Sequence, residues 1–326
     1  MIVIDWISTP NHRNFNRAFF GAIKQQITSC LVFSEKLVIP EVRCELLEAS
    51  ETRFRKALYI LKLILVYRNS NILLLTYDPL FLPLMLLIKR QIIVFEHNTT
   101  PEEGSWVKVL WQRMLYRKVR RLAQFPGQYE RLATLGQNVT YIGSPLQKID
   151  MKYSVRGSSS NSNVYAAPSC RADVELVYKY AHLFAGSEIV VKRLSGGKSD
   201  TSESLSVKLT SVDRIEFQYS GKPLDAILVT VDSSIRGTGW FNEAISNNIP
   251  IVILNPKALQ LFIETFPKYP FVDIANLNGS NDFKKELKAI EMISKYNYVC
   301  KHNSMINKRF VRVIHDLNID NRHNDG

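Results

Sequence analysis

Residues 225–255, DAILVTVDSSIRGTGWFNEAISNNIPIVILN, restrict this chain more than any other segment. An apolar run at 226–231 suits a buried parallel strand, and 232–239 is a loop of small residues. Residues 240–247 have helical character, and a second apolar run follows at 249–254. Strand, polar loop, helix and strand in that order make a βαβ unit, because parallel strands need a crossover long enough to hold a helix. Ser233, Ser234, Arg236, Gly237, Thr238 and Gly239 place small side chains and open backbone N–H groups where the helix begins. Such a terminus attracts anions, phosphates above all. Any α/β crossover can carry a glycine-rich connection, so the loop alone does not decide between the two readings. Glu243, one turn into the helix, and the Asn248-Ile249-Pro250 turn go beyond what a plain crossover needs.

The same alternation runs through the chain. Before residue 150, strands are expected at 2–7, 31–33, 72–77, 92–95 and 139–142, and helices at 14–26, 45–67, 106–122 and 129–135. Composition shifts after Pro145, and residues 154–163, SVRGSSSNSN, read as a linker. The pattern restarts with strands at 164–167, 188–191 and 215–218 and a helix at 173–184. After the βαβ unit come helices at 257–265, 283–294 and 303–317. The expected organisation is a first domain at 1–153, the linker at 154–163, a second domain at 164–316 and a polar, frayed tail at 317–326. Helices alternating with strands imply parallel, helix-covered sheets, hence an α/β fold class.

Bulk properties agree with a globular protein of two domains. The chain has 326 residues, 46% of them apolar and 22% charged. Its four cysteines are far apart in sequence with no metal-ligand spacing, and read as isolated thiols in a reducing compartment. Met1 leads directly into IVIDWIS with Asp5 in its midst and no basic start, which is not a secretory leader. The longest apolar stretch, 71–88, is broken by Asp78, Pro79 and Pro83 and falls short of the roughly 20 apolar residues of a spanning helix. A cytoplasmic protein is expected. The net charge is +12, with 20 basic against 12 acidic residues up to position 150 and 22 against 18 beyond it. That excess suits nucleic acid, an anionic membrane or anionic substrates. No helix-turn-helix, zinc-finger or RNA-binding signature is present, so nucleic acid is the weakest of these.

The segment Gly237-Thr238-Gly239, Glu243-Ala244 and Asn248-Ile249-Pro250 resembles the donor-binding segment of GT-B glycosyltransferases. The resemblance implies two Rossmann-like domains facing a central cleft, with a nucleotide sugar as co-substrate and no metal or other cofactor. It implies that Glu243 accepts hydrogen bonds from ribose hydroxyls, with the Gly237–Gly239 loop near the phosphates. Retaining members often carry a second Glu eight positions before the first; Ile235 stands there, a departure that leaves the stereochemical outcome open. Many relatives set an Arg and a Lys five apart against the donor diphosphate, and Arg193 with Lys198 has that spacing. Lys192 and Arg171 are the alternatives, since each follows a strand; solvated surface charge is the plainer reading of any of the four. His97, in the Phe95-Glu96-His97-Asn98 loop after a strand, resembles a histidine that reaches toward the donor sugar. In an inverting enzyme Glu96 or His97 would be the base that deprotonates the acceptor. The plainer reading of that loop is a set of helix caps. The loop after the first strand brings His12 and Asn14 to the acceptor side, where a cap at Asn14 is the equal alternative.

The expected helix at 106–122 carries Arg113, Arg117, Arg120 and Arg121 on one face, with Trp106, Trp111 and Tyr116 beside them. It is either a peripheral contact for an anionic membrane or a core helix with a basic solvent side. The activity the resemblance implies is transfer of a sugar to a glycan or polyprenyl-linked acceptor in surface-polysaccharide biosynthesis, of the O-antigen or capsule kind. Its rivals are a sialyl-, Kdo- or pyruvyl-type transferase on the same scaffold and a non-catalytic scaffold protein.

Overall fold

The computed structural model describes residues 1–6, 13–32, 42–46, 52–78, 81–82, 92–96, 106, 110, 119–147, 163–168, 173–192, 203–204, 207–212, 218–219, 222–231, 239–291 and 296–324. The chain divides into two compact units, residues 1–147 with 302–326 and residues 148–301. The first contains β1 (Ile2–Asp5), α1 (Arg13–Ile23), β2 (Ser29–Val32), β3 (Cys44–Leu46), α2 (Arg53–Val66), β4 (Ile72–Thr76), β5 (Ile92–Glu96), β6 (Arg120–Ala123), α3 (Pro126–Thr134) and β7 (Val139–Tyr141). The second contains β8 (Val164–Ala167), α4 (Val174–Lys179), β9 (Glu188–Lys192), β10 (Glu203–Ser204), β11 (Val207–Val212), β12 (Gln218–Tyr219), β13 (Lys222–Pro223), β14 (Ala226–Val229), α5 (Gly239–Ser246), β15 (Ile251–Ile253), α6 (Pro256–Thr265), β16 (Val272–Asp273) and α7 (Ser280–Glu291). The last helix, α8 (Tyr296–Asn324), begins in the second unit and belongs to the first from His302 onward.

Each unit is built on one sheet. In the first, seven parallel strands run in the order β3-β2-β1-β4-β5-β6-β7. Strand residues alternate between its faces, as the pleat requires. Ile2, Ile4, Ile72, Leu74, Ile92 and Val94 pack with Ala57, Ile60 and Ile64 of α2. Val3, Leu73, Leu75, Ile93, Phe95 and Leu122 pack with Phe19 and Phe20 of α1 and with Phe310, Val313 and Leu317 of α8. The second sheet runs β10-β11-β9-β8-β14-β15-β16, parallel apart from β10. On one of its faces Tyr165, Ile189, Ala226 and Val252 meet Val177, Phe184 and, from α7, Phe283 and Leu287. Both units are Rossmann-like, and the α/β expectation holds.

Several boundaries differ from the sequence reading. The expected helix at 45–67 begins only at Arg53, where Thr52 caps it by accepting from the N–H of Arg55; its first residues instead complete β3. The expected basic helix at 106–122 is contradicted at its end, where 120–123 form strand β6. Arg121 lies wholly inside the sheet, paired with Glu96, so it offers nothing to a membrane. Residues 107–109 and 111–118 lie outside the described residues. The frayed tail is also a correction: α8 continues to Asn324, and the second unit ends at 301 rather than 316. The linker at 154–163 falls outside the described residues except for Asn163. Cys30 and Cys44, distant in sequence, are register partners on β2 and β3. Among the described residues, no helix is long and apolar enough to cross a membrane.

Candidate functional site

In an open α/β sheet, ligands bind beyond the carboxyl ends of the strands where the strand order reverses. In the second unit the chain moves from β8 outward through β9 to β11, then returns to the other side of β8 with β14 and continues to β15 and β16. The reversal therefore lies between β8 and β14. The chain leaving β14 next enters α5, so the start of that helix stands on the connection at the switch point. Buried Thr230, just past β14, ties this edge together. Its hydroxyl oxygen accepts from the N–H of Asp173 at 3.1 Å, and its carbonyl accepts from Asn255 Nδ2 at 3.4 Å. Asp173 and Asn255 are themselves N-caps, of α4 and α6. One threonine thus links the connections that follow β8, β14 and β15. Sequence reading did not single it out. Asp before an apolar run and Asn-Pro before another are cap signals that mark the two helix starts, but nothing local marks the residue joining them.

Gly239 is the first residue of α5 and Glu243 lies one turn later, half-buried. The helix ends in a hydrogen-bonded C-cap: Ile249 N–H donates to Ala244 O at 2.9 Å and Asn248 N–H to Ile245 O at 3.2 Å. Asn248 takes φ 55°, the left-handed conformation this motif requires. Asn247 adds a second fastening, its N–H and its Nδ2 both donating to Glu243 O, at 3.0 and 2.7 Å. Phe241 stacks edge-on to Phe262 of α6 at 5.0 Å, which fixes the helix from its apolar side. The backbone at Glu243 is thus fastened by hydrogen bonds at the helix end and by ring packing on the apolar side. Lys192 closes β9, which neighbours β8 in the sheet, and is partly buried at the same carboxyl edge. Arg171, Arg193, Lys198, Gly237 and Thr238 lie outside the described residues.

The first unit reverses its strand order between β1 and β4. At that point Asp5 is buried, accepting from Asn16 Nδ2 at 2.8 Å and from the Thr76 hydroxyl. His12, in the loop beyond β1, and His97, directly after β5, lie outside the described residues; Asn14 stands in the first turn of α1.

Glu96 requires a correction. Its side chain has no exposure and points into the unit, accepting from the Tyr77 hydroxyl at 2.7 Å, with Arg121 Nε 3.4 Å away. Burial pushes the carboxyl upward, while Arg121 and Tyr77 pull it back. Its carbonyl accepts from Gln124 Nε2 at 3.1 Å and Gln128 Nε2 at 3.2 Å. Held at side chain and backbone, Glu96 anchors the start of the loop containing His97 and is not itself presented to a ligand. Among the described residues, no group of three or more His, Cys, Asp or Glu could hold a metal ion.

No protein-family model and no curated protein sequence matches this chain. Among solved structures it is similar to HepE of Anabaena. The likeness is 12% identity with a TM-score of 0.63 to the complex with UDP-glucose, covering 97% of this chain and 99% of that one. To the UDP complex it is 11% with a TM-score of 0.59, over the same shares. A glycosyltransferase from Rickettsia africae is similar at 11% identity and a TM-score of 0.57, over 96% of this chain and 97% of that one. At these identities the likeness is one of fold, and it extends over nearly the full length of both chains.

Proposed function

We propose that this chain is a GT-B glycosyltransferase that takes a sugar from a nucleotide donor and passes it to a glycan or lipid-linked acceptor in surface-polysaccharide synthesis. The observation that carries the proposal is the placement of α5. Its N-terminus opens at the switch point of the second sheet, Glu243 follows one turn in, and the fold is that of a protein whose structures hold UDP and UDP-glucose. The donor's diphosphate sits against the Gly237–Gly239 segment and the start of α5, where the helix dipole favours anions. The Glu243 carboxylate accepts from the ribose hydroxyls.

Transfer breaks the bond between the sugar's anomeric carbon and the phosphate oxygen and leaves negative charge on the departing nucleotide. Lys192 stands at the carboxyl edge of the sheet to offset that charge, and Arg171, Arg193 and Lys198, which follow β8 and β9 in sequence, are the further candidates for it. On the first unit, His97 acts beside the reacting sugar, Glu96 and its partners hold that loop, and His12 and Asn14 line the acceptor side.

Calorimetric titration of the protein with UDP, GDP, dTDP and CMP tests the reading. One of them should bind, and Glu243→Gln should weaken that binding by about 1–3 kcal/mol, since a carboxylate facing hydroxyls makes charge-assisted bonds. No binding by any of the four, or unchanged affinity in the variant, would overturn the assignment.

A further inference from the structure

Helix α2 buries Ala57, Ile60 and Ile64 against the first sheet, yet its apolar surface does not stop there. Phe54, Leu58 and Leu65 are 59%, 48% and 50% exposed, and partly buried Leu61 stands between them. At 3.6 residues per turn these four positions fall within an arc of about 60° and make one continuous ridge. The ring of Phe54 lies 6.2 Å from that of Phe81, which extends the ridge past the helix N-terminus. Arg55 and Lys62 are exposed and line its outer border; the core face lies on the other side. The helix carries four cations, Arg53, Arg55, Lys56 and Lys62, and no acidic residue. Arg53 pairs with Asp78 and Lys56 is partly buried, which leaves Arg55 and Lys62 as the exposed charges beside the ridge.

From this arrangement we infer that α2 is the surface by which the protein lies on an anionic lipid bilayer. The ridge would sink into the headgroup boundary while Arg55 and Lys62 reach lipid phosphates from its border. Charge decides between occupants. A second copy of the chain would bring the same cations face to face, and the net charge of +12 adds to that repulsion, whereas an anionic bilayer complements both. Size agrees, for among the described residues the exposed apolar ridge spans one face of one helix, which a bilayer can take up, while a stable protein interface asks for about 800 Å² of complementary surface from each partner. The inference rests on the transferase reading only for its purpose, which is to hold the enzyme where a lipid-linked acceptor is found. It moves membrane contact away from the expected helix at 106–122, whose Arg121 is buried.

Co-sedimentation of the full chain with vesicles of phosphatidylglycerol and phosphatidylcholine, and with phosphatidylcholine alone, tests it. The wild type should pellet with the anionic vesicles at low salt and stay in solution with the neutral ones. Leu58→Glu with Leu65→Glu should lower binding roughly tenfold or more, because two insertions are lost and two like charges added. Arg55→Gln with Lys62→Gln should lower it about fivefold per cation and blunt its salt dependence. All four side chains are exposed, so the variants should melt as the wild type does by circular dichroism. The inference fails if the wild type stays in the supernatant, or if the double glutamate variant still pellets. It also fails if velocity sedimentation shows a dimer that this variant dissociates. Titrating the same preparations with UDP keeps the two readings apart: vesicle binding without nucleotide binding sinks the transferase alone, and the reverse sinks the membrane surface alone.

Discussion

Arg121 and Glu96 lie 3.4 Å apart with no exposure to water on either side chain, where β5 and β6 pair. Burying two charges is unfavourable, and mutual attraction with the added Tyr77 hydrogen bond only offsets that penalty. The pair is therefore more telling about position than about stability, because it fixes the end of β5 from which the His97 loop departs. Removing one partner strands the other. Arg121→Met should lower unfolding stability by about 3–5 kcal/mol, and adding Glu96→Leu should recover most of the loss. Denaturant midpoints for the two single variants and the double one measure the coupling; a loss below about 1 kcal/mol for Arg121→Met would mean that the pair anchors nothing. This site shows where sequence reading ends. Arg120-Arg121 resembles a basic helix face because the carboxylate that makes Arg121 a core residue lies 25 positions earlier, and no local pattern points to it. Glu243 and Lys192 were easier to place, since a glycine-rich turn and an apolar run signal their positions within a few residues.

At the scale of elements, the strands legible in sequence were β1, β2, β4, β5, β7, β8, β9, β14 and β15, most of them continuous apolar runs that suit a strand buried on both faces. Strands β3, β6, β10, β11, β13 and β16 were missed because each is short, charged or polar and is held by its neighbours more than by its own residues. In α8 the periodicity of Ile306, Phe310, Val313 and Leu317 marks the helix at 303–317, but the ends at 296–302 and 318–324 do not continue it and were missed. Its attachment is specific. His302 Nε2–H donates to Ser144 O at 2.9 Å, and Asn303 both accepts from Leu146 N–H at 3.0 Å and donates to Leu146 O at 2.6 Å. Arg309 donates to Ile142 O at 3.3 Å and stacks over Tyr141 at 4.9 Å. Gly143, at φ 97°, lets the backbone pass beneath Ile306. Burial lowers the His302 pKa; the Ser144 carbonyl opposes that shift and Arg309 adds to it. A histidine kept neutral in the fold but free to charge when unfolded gives stability that is complete above its ordinary pKa of 6.5. That stability is lost as pH falls from there toward the lowered folded value. Thermal melting should therefore drop on acidification below about pH 6.5, and His302→Gln, which keeps a donor for Ser144, should flatten that dependence. Equal slopes for the two proteins would show that His302 does not titrate with unfolding.

For the whole molecule, the return of the chain matters more than the count of its units. The first unit cannot complete its core from residues 1–147, because one face of its sheet is roofed jointly by α1 and by residues 302–317 of α8. Phe19 of α1 meets Phe310 of α8 with ring centroids 5.8 Å apart, so the two helices share a seam over Val3, Leu73 and Ile93. A chain of this kind finishes its first unit only after its second has been made, a dependence no window of sequence displays. Deleting residues 302–326 should expose this consequence. Ile306, Phe310, Val313 and Leu317 are buried. At about 1.5–3 kcal/mol for each buried side chain, their loss amounts to roughly 6–12 kcal/mol. That is comparable with the entire stability of a typical domain, about 5–15 kcal/mol. The second unit keeps its own core, including Val299 and the Tyr269–Tyr298 ring contact at 5.1 Å, since the cut falls after Lys301. The truncated protein should thus lose the calorimetric transition of its first unit while retaining that of the second. If the proposed transferase function holds, nucleotide affinity should survive, because Glu243 and Gly239 lie wholly within the second unit, whereas sugar transfer should be lost with the first unit, to which His97 belongs. A truncated chain that melts as the full one does would show that α8 is dispensable to the first core. Loss of nucleotide binding together with the first transition would show that the donor site draws on both units.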